Sequence, residues 1–215
     1  DAVPKDCEAL FITAPNTDFS SDDVEKLQTY LDDGGVLYVS LDYKNFDGLS
    51  NVKKFLLNND IATTESIVGE KDGAYYYQNQ FYLLPKVENT QYSQEVAGNT
   101  SVFSPYTIGL EYVGEDKSSC VSILSSSEDC FAKSSANIAK ERTEDNQSEL
   151  FEKEEGDVSG PFDLGVLVSK ENGGKLLVLG SSYIFTENAN EMVSGRNGKL
   201  FQGIVNGLIV SEDQE

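Results

Sequence analysis

The chain has 215 residues, 37 acids against 16 bases, a formal net charge of −21 and no histidine. That length suits one large α/β domain with its own core, and the acidity excludes nucleic acid and anionic lipid as partners, since both would repel it. Without histidine, neither a Ser-His-Asp nor a Cys-His nucleophile can be built from this chain, and histidine metal ligation is excluded as well.

Residues 8–14 form a short apolar run between Pro4 and Pro15, read as a buried strand. Phe19-Ser20-Ser21-Asp22-Asp23 then signals a helix start. Ser20 is the N-cap, Asp23 the capping-box acid, Phe19 can staple onto Val24, and Val24, Leu27 and Leu31 recur at helical spacing. Gly34-Gly35 stops the helix, and Val36 to Leu41 returns as a strand. This is one βαβ unit, with parallel pairing and a right-handed crossover. A second helix is expected from about Leu49 to Asn58 and a strand from Ile61 to Val68.

Residues 70–118 read as an irregular β-rich insertion. Tyr75-Tyr76-Tyr77 and Phe81 to Leu84 flank Gln78-Asn79-Gln80 as an aromatic hairpin, with short strands at Val102-Phe103 and Ile108 to Val113. Val121 to Leu124 is strand-like and leads into Ser125-Ser126-Ser127. Residues 133–160 turn polar and acidic and read as a mobile loop carrying little core. Phe162 to Ser169 and Lys175 to Leu179 flank Glu171-Asn172-Gly173-Gly174, a hairpin turn signal. A final helix starts at about Asn197 and carries Leu200, Phe201, Ile204 and Leu208 on one stripe. Residues 1–215 are thus expected to form a single α/β domain, a three-layer sandwich around a mostly parallel sheet with β-hairpin additions.

No P-loop, GxGxxG or CxxC pattern is present, and no cofactor is expected. In parallel α/β sheets, ligands sit beyond the carboxyl ends of the strands. Four segments are expected to meet there: Asn16-Thr17-Asp18, Asp42-Tyr43, Ser125-Ser126-Ser127 and Ser181-Ser182-Tyr183. The candidate binding residues are Asn16, Asp18, Asp42, Tyr43, Ser181, Ser182 and Tyr183. A calcium ion between Asp18 and Asp42 lacks EF-hand-like spacing to support it, and no metal residue is assigned. Cys120 and Cys130 are close enough in sequence to bridge a strand and its following loop, though spacing alone does not decide it. No apolar run is long enough to span a bilayer, and the chain reads as a segment whose targeting or anchoring parts lie outside it.

The pattern Pro4, Ala9 to Pro15, Asp18-Phe19-Ser20, Leu27, Tyr30-Leu31 and Gly34-Gly35-Val36-Leu37 resembles the extracytoplasmic domain of auxiliary proteins of ABC-2-type transporters. The gliding-motility transporter component is the best-known member, and the intraflagellar-transport GIFT domain is a distant relative. The resemblance continues through Val121 to Ser127, Gly160-Pro161-Phe162, Lys175 to Phe185 and the terminal helix. It implies a flavodoxin- or glutamine-amidotransferase-like fold used without catalysis. It also implies an extracytoplasmic location, a membrane tether outside this segment, and a permease and an ATPase as partners. The acidic surface would tolerate a cationic peptide or a cationic protein face as a partner, and a glycan is the ligand on which the aromatic cluster could stack. One rival is an amidotransferase-like or hydrolase enzyme with Cys120, Cys130 or Ser181 as an unusual nucleophile. The other is a glycan-binding module using Tyr75, Tyr76, Tyr77 and Tyr82.

Overall fold

Ser20 opens the first helix as its spacing from Asp23 predicts. In the computed structural model, which describes residues 2–98, 101–134 and 152–209, Ser20 Oγ accepts the Asp23 amide at 3.1 Å and an Asp23 carboxylate oxygen accepts the Ser20 amide at 3.4 Å. Helix α1 spans Ser21–Asp32 and ends before Gly34, whose φ of 93° suits a residue without Cβ. It links strand β1 (Leu10–Thr13) to β2 (Val36–Ser40), which pair in parallel with Leu10 opposite Leu37. Helix α2 (Ser50–Asn58) follows and leads into β3 (Ile61–Glu70).

The chain then makes β4 (Tyr76–Tyr77), β5 (Asn79–Leu83), β6 (Lys86–Val87), β7 (Ser104–Pro105), β8 (Ile108–Tyr112), β9 (Cys120–Ser125), β10 (Cys130–Ala132) and β11 (Val158–Ser159). The expected hairpin of β12 (Asp163–Ser169) and β13 (Lys175–Leu179) is present, paired from Gly165–Leu179 to Ser169–Lys175. Helices α3 (Glu187–Met192) and α4 (Arg196–Ile209) close the described chain.

The main sheet runs β1-β2-β13-β12-β8-β3-β10-β11, with β9 and β6 branching from β12. Its parallel part is β1-β2-β13, where Leu37 faces Leu176 and Val39 faces Val178. From β12 outward, the described pairings are antiparallel. The α/β class is the expected one, while the parallel register stops at β13. The reason is local. A short turn at Asn172-Gly173-Gly174 returns β12 directly onto β13, and a turn of that length permits only antiparallel pairing.

Alternation of side chains along β2 and β13 splits the apolar residues between two faces. Leu37, Val39, Leu176 and Val178 pack with Leu27 and Leu31 of α1 and with Val52, Phe55 and Leu56 of α2. Tyr38, Leu177 and Leu179 pack with Leu200, Ile204 and Leu208 of α4 on the opposite face. The result is three layers: α1 and α2, the sheet, and α4.

Two expected boundaries change. Strand β8 lies inside the main sheet between β12 and β3, so the 70–118 segment supplies a sheet strand as well as the small β4-β5-β7 sheet. The segment expected to be a mobile acidic loop lies largely outside the described residues. Its described flanks carry structure: β11 pairs with β10, and the fully buried Lys133 ammonium meets Glu154 at 3.0 Å and Asp157 at 3.5 Å. Burying a lysine demands such partners, because an unpaired charge in a core is strongly disfavoured. Among the described residues, no helix is long and apolar enough to cross a membrane.

Candidate functional site

Neighbouring parallel strands whose connections leave to opposite faces open a crevice at their carboxyl ends. β2 and β13 are such a pair. After β2 the chain turns to α2 on one face, and after β13 it turns to α3 and α4 on the other. Asp42 and Tyr43 lie just beyond β2, and Ser181, Ser182 and Tyr183 lie just beyond β13.

The two segments meet. Tyr183 Oη donates to Asp42 Oδ2 at 3.3 Å, and the Ser182 amide donates to Leu41 O at 2.7 Å. Asp42 Oδ1 also accepts the Lys44 amide at 3.0 Å, which fixes the turn after β2. The Lys44 ammonium sits 5.9 Å from the centroid of Tyr43 and 5.8 Å from that of Tyr183. Its pKa is held above the ordinary lysine value, chiefly by hydrogen bonding with the Tyr183 phenol.

The crevice has a third wall that periodicity and spacing could not assign. Tyr106, in the turn between β7 and β8, stacks on Tyr43 with centroids 5.2 Å apart and an interplanar angle of 25°. It meets Tyr183 edge-on at 5.8 Å and Tyr82 edge-on at 5.4 Å, with the Tyr82 and Tyr106 hydroxyls 3.1 Å apart. Burial, followed by the hydrogen bond to Tyr82, pushes the Tyr106 phenol pKa well above the ordinary tyrosine value.

Tyr106 has a φ of 55°, left-handed backbone that a bulky residue rarely adopts. Such strain persists where the surroundings over-determine it. Here the Tyr106 amide donates to Phe81 O, Ser181 Oγ donates to Pro105 O at 2.6 Å, and Ser104 and Thr107 share a buried hydroxyl contact at 2.9 Å. Asn197, wholly buried at the start of α4, adds a clamp. Its side chain accepts the Phe103 amide at 3.0 Å and donates to Phe103 O and Ile184 O. These bonds lock the β7 segment against the end of β13.

The remaining candidate residues lie elsewhere or act locally. Asp18 caps α2 from outside, its two carboxylate oxygens accepting the Asn51 amide at 2.8 Å and the Val52 amide at 3.2 Å. Its carboxylate is therefore committed to a helix start, and Asp42 to its own turn and to Tyr183. Asn16 is exposed beyond β1 and Ser182 is half-buried. Ser181 is 1 % exposed, and its hydroxyl also accepts the Tyr183 amide at 3.2 Å.

The Ser125–Ser127 segment does not join this crevice. It lines a separate cavity of about 790 Å³ with Tyr75, Lys86, Glu111, Phe162 and Asp163. Serine-rich strand ends look alike in sequence. The carboxylate of Glu70 fixes this one by accepting both the Ser127 amide and its hydroxyl. Burial raises the pKa of Glu70 and of Asp163 above the usual carboxylate range.

Tyr75 does not share the surroundings of Tyr82, which packs edge-on against Phe103 and Tyr106. Tyr75 faces the 790 Å³ cavity, and the exposed Tyr77 lies beside Met192 and Arg196. The cysteines are free thiols, and burial pushes Cys120 and Cys130 each up to about 11.

No protein-family model matches the sequence, and no curated protein does. Among solved structures, the mmIFT52 N-terminal domain aligns with 97% of this chain and 79% of its own, at a TM-score of 0.64 and 20% identity. The likeness is one of fold. A putative thua-like protein from Bacteroides uniformis aligns over 96% of this chain and 71% of its own, at a TM-score of 0.47 and 11% identity.

Proposed function

We propose that this chain is a non-enzymatic interaction or substrate-capture domain on the extracytoplasmic side of an ABC-type (ABC-2) export system, acting beside a permease and its ATPase. The transporter context rests on the ordered sequence resemblance, which runs from Pro4 to the terminal helix, and a layered α/β fold is what that resemblance requires. The binding role rests on one observation. Tyr106 occupies the β2/β13 crevice between Tyr43 and Tyr183, with centroid distances of 5.2 and 5.8 Å. A crevice filled by a side chain of the chain itself offers a ring-lined surface, where an enzyme of this fold class would hold a substrate.

The candidate nucleophiles support the same reading. The Ser181 hydroxyl is buried and donates to a backbone carbonyl, so nothing there takes up its proton. The Cys130 thiol is buried and donates to Ser126 Oγ at 3.1 Å, and a pKa of about 11 keeps it protonated at neutral pH.

The test is a photo-crosslinking residue placed at Tyr43 or at Ser182 in the full-length protein in its native membrane. Adducts with a permease subunit, and co-purification of an ATPase, are expected. A defined amide, ester or glycoside hydrolysis rate that one point change removes would overturn the reading. So would adducts confined to proteins unrelated to transport.

A further inference from the structure

We infer that Asp42, Tyr43 and Tyr183 form a cation-accepting notch for a lysine side chain of a basic partner peptide, with Lys44 as its resident stand-in. The inference rests on the reading of the domain as an interaction module and names the chemistry of its partner. The Lys44 ammonium lies within 6 Å of two tyrosine ring centroids at once, at 5.9 and 5.8 Å. That distance is within the range at which the negative face of a ring attracts a cation. Asp42, beside the rings and bonded through Oδ2 to Tyr183 Oη at 3.3 Å, adds a weaker attraction from its negative charge, the least of the causes that hold the Lys44 ammonium in its charged form.

The rings do not depend on Lys44 for their positions. Tyr106 stacks on Tyr43 and meets Tyr183 edge-on, and Tyr106 itself is held by Phe81 O and Tyr82. The turn is fixed by the Lys44 backbone amide on Asp42 Oδ1. The Lys44 side chain is exposed, so it can swing into water and leave the notch to another ammonium. The surface outside then selects the partner. At a net charge of −21 the domain draws basic segments and repels acidic ones. An anionic ligand using Lys44 as its anchor would approach against that charge and beside Asp42.

The experiment is an NMR titration of the isotopically labelled chain with pentalysine, and with pentalysine acetylated on every side chain. The parent, Lys44→Ala, Lys44→Met and Tyr43→Leu are compared. Pentalysine is expected to shift resonances of Tyr43, Tyr106 and Tyr183, and the acetylated peptide to leave them unmoved. Vacating the notch by Lys44→Ala or Lys44→Met should tighten pentalysine binding about threefold, the scale of one exposed cation–π contact. Tyr43→Leu should weaken it by a similar factor, with the spectrum of α1 and β13 showing that the fold is kept. Weaker binding in both Lys44 variants, shifts spread over the acidic surface, or shifts absent at the three tyrosines overturns the notch. Permease crosslinking is read separately, so it distinguishes failure of the notch from failure of the transporter assignment.

Discussion

Tyr106 stacks on Tyr43 with its own backbone at a φ of 55°, so the ring contact that fills the crevice is held by a strained residue. The two rings come from segments far apart in the chain: Tyr43 follows the parallel strand β2, and Tyr106 lies in the turn between β7 and β8. Their contact couples the βαβ nucleus to the added β segment.

The strain predicts an inverted order of stabilities. Elsewhere glycine is usually worse than alanine, because it loses more backbone freedom on folding. At position 106 a left-handed φ penalises alanine, and not glycine, by about 1 kcal/mol. Tyr106→Ala should therefore unfold at lower urea concentration than Tyr106→Gly, although both lose the same ring. Equal midpoints would mean that the left-handed backbone carries no cost here.

Asp18 has a structural role, and its removal should show one. Leu49 precedes α2 and offers no side-chain cap, so Asp18 supplies the acceptor to the Asn51 and Val52 amides. Asp18→Ala should cost about 1–2 kcal/mol in chemical denaturation, the scale of losing a good N-cap. It should leave the pentalysine response unchanged, because Asp18 faces α2.

The raised carboxyl pKa of Asp163 sets the sign of a pH effect. Burial is its main cause, and the carboxylates of Glu88 and Glu111 add to it. Between the ordinary value of 3.8 and the raised folded value, the folded state binds more protons than the unfolded one. This group's contribution therefore favours folding at low pH and is lost as pH rises through the folded pKa. Asp163→Asn should gain stability relative to the parent as pH climbs from the ordinary carboxylate value through the raised folded one, with the gap flat above it. Stability difference against pH, from urea midpoints, checks it. A gap that shrinks with rising pH would reverse the assigned cause.

The thiols separate a binding domain from a cysteine enzyme. Burial pushes Cys120 and Cys130 each from the ordinary thiol value of 9.0 up to about 11, which cuts the thiolate fraction about a hundredfold. Alkylation by iodoacetamide at pH 8 should spare both in the folded chain and reach all three cysteines in urea. Rapid, stoichiometric modification of Cys130 in the folded state would restore the nucleophile reading.

Local pattern determined a large part of this protein. Ser20 and Asp23 cap a helix through contacts within three residues, Gly34 ends it, and the short Asn172-Gly173-Gly174 turn brings β12 and β13 together. Each uses interactions between sequence neighbours, so each is visible in the sequence. The carboxyl-end rule also brings Asp42, Tyr43 and Tyr183 to one place, because each follows a strand of the parallel part. Tertiary structure decided what long-range contact alone can decide: that β8 enters the main sheet, that Ser125–Ser127 turns to Glu70, that Asp18 serves α2, and that Tyr106 fills the crevice. Each depends on hydrogen bonds or ring contacts between residues that only chain packing brings together. No period of 2 or 3.6 residues records which distant partner a serine, an aspartate or a tyrosine will meet.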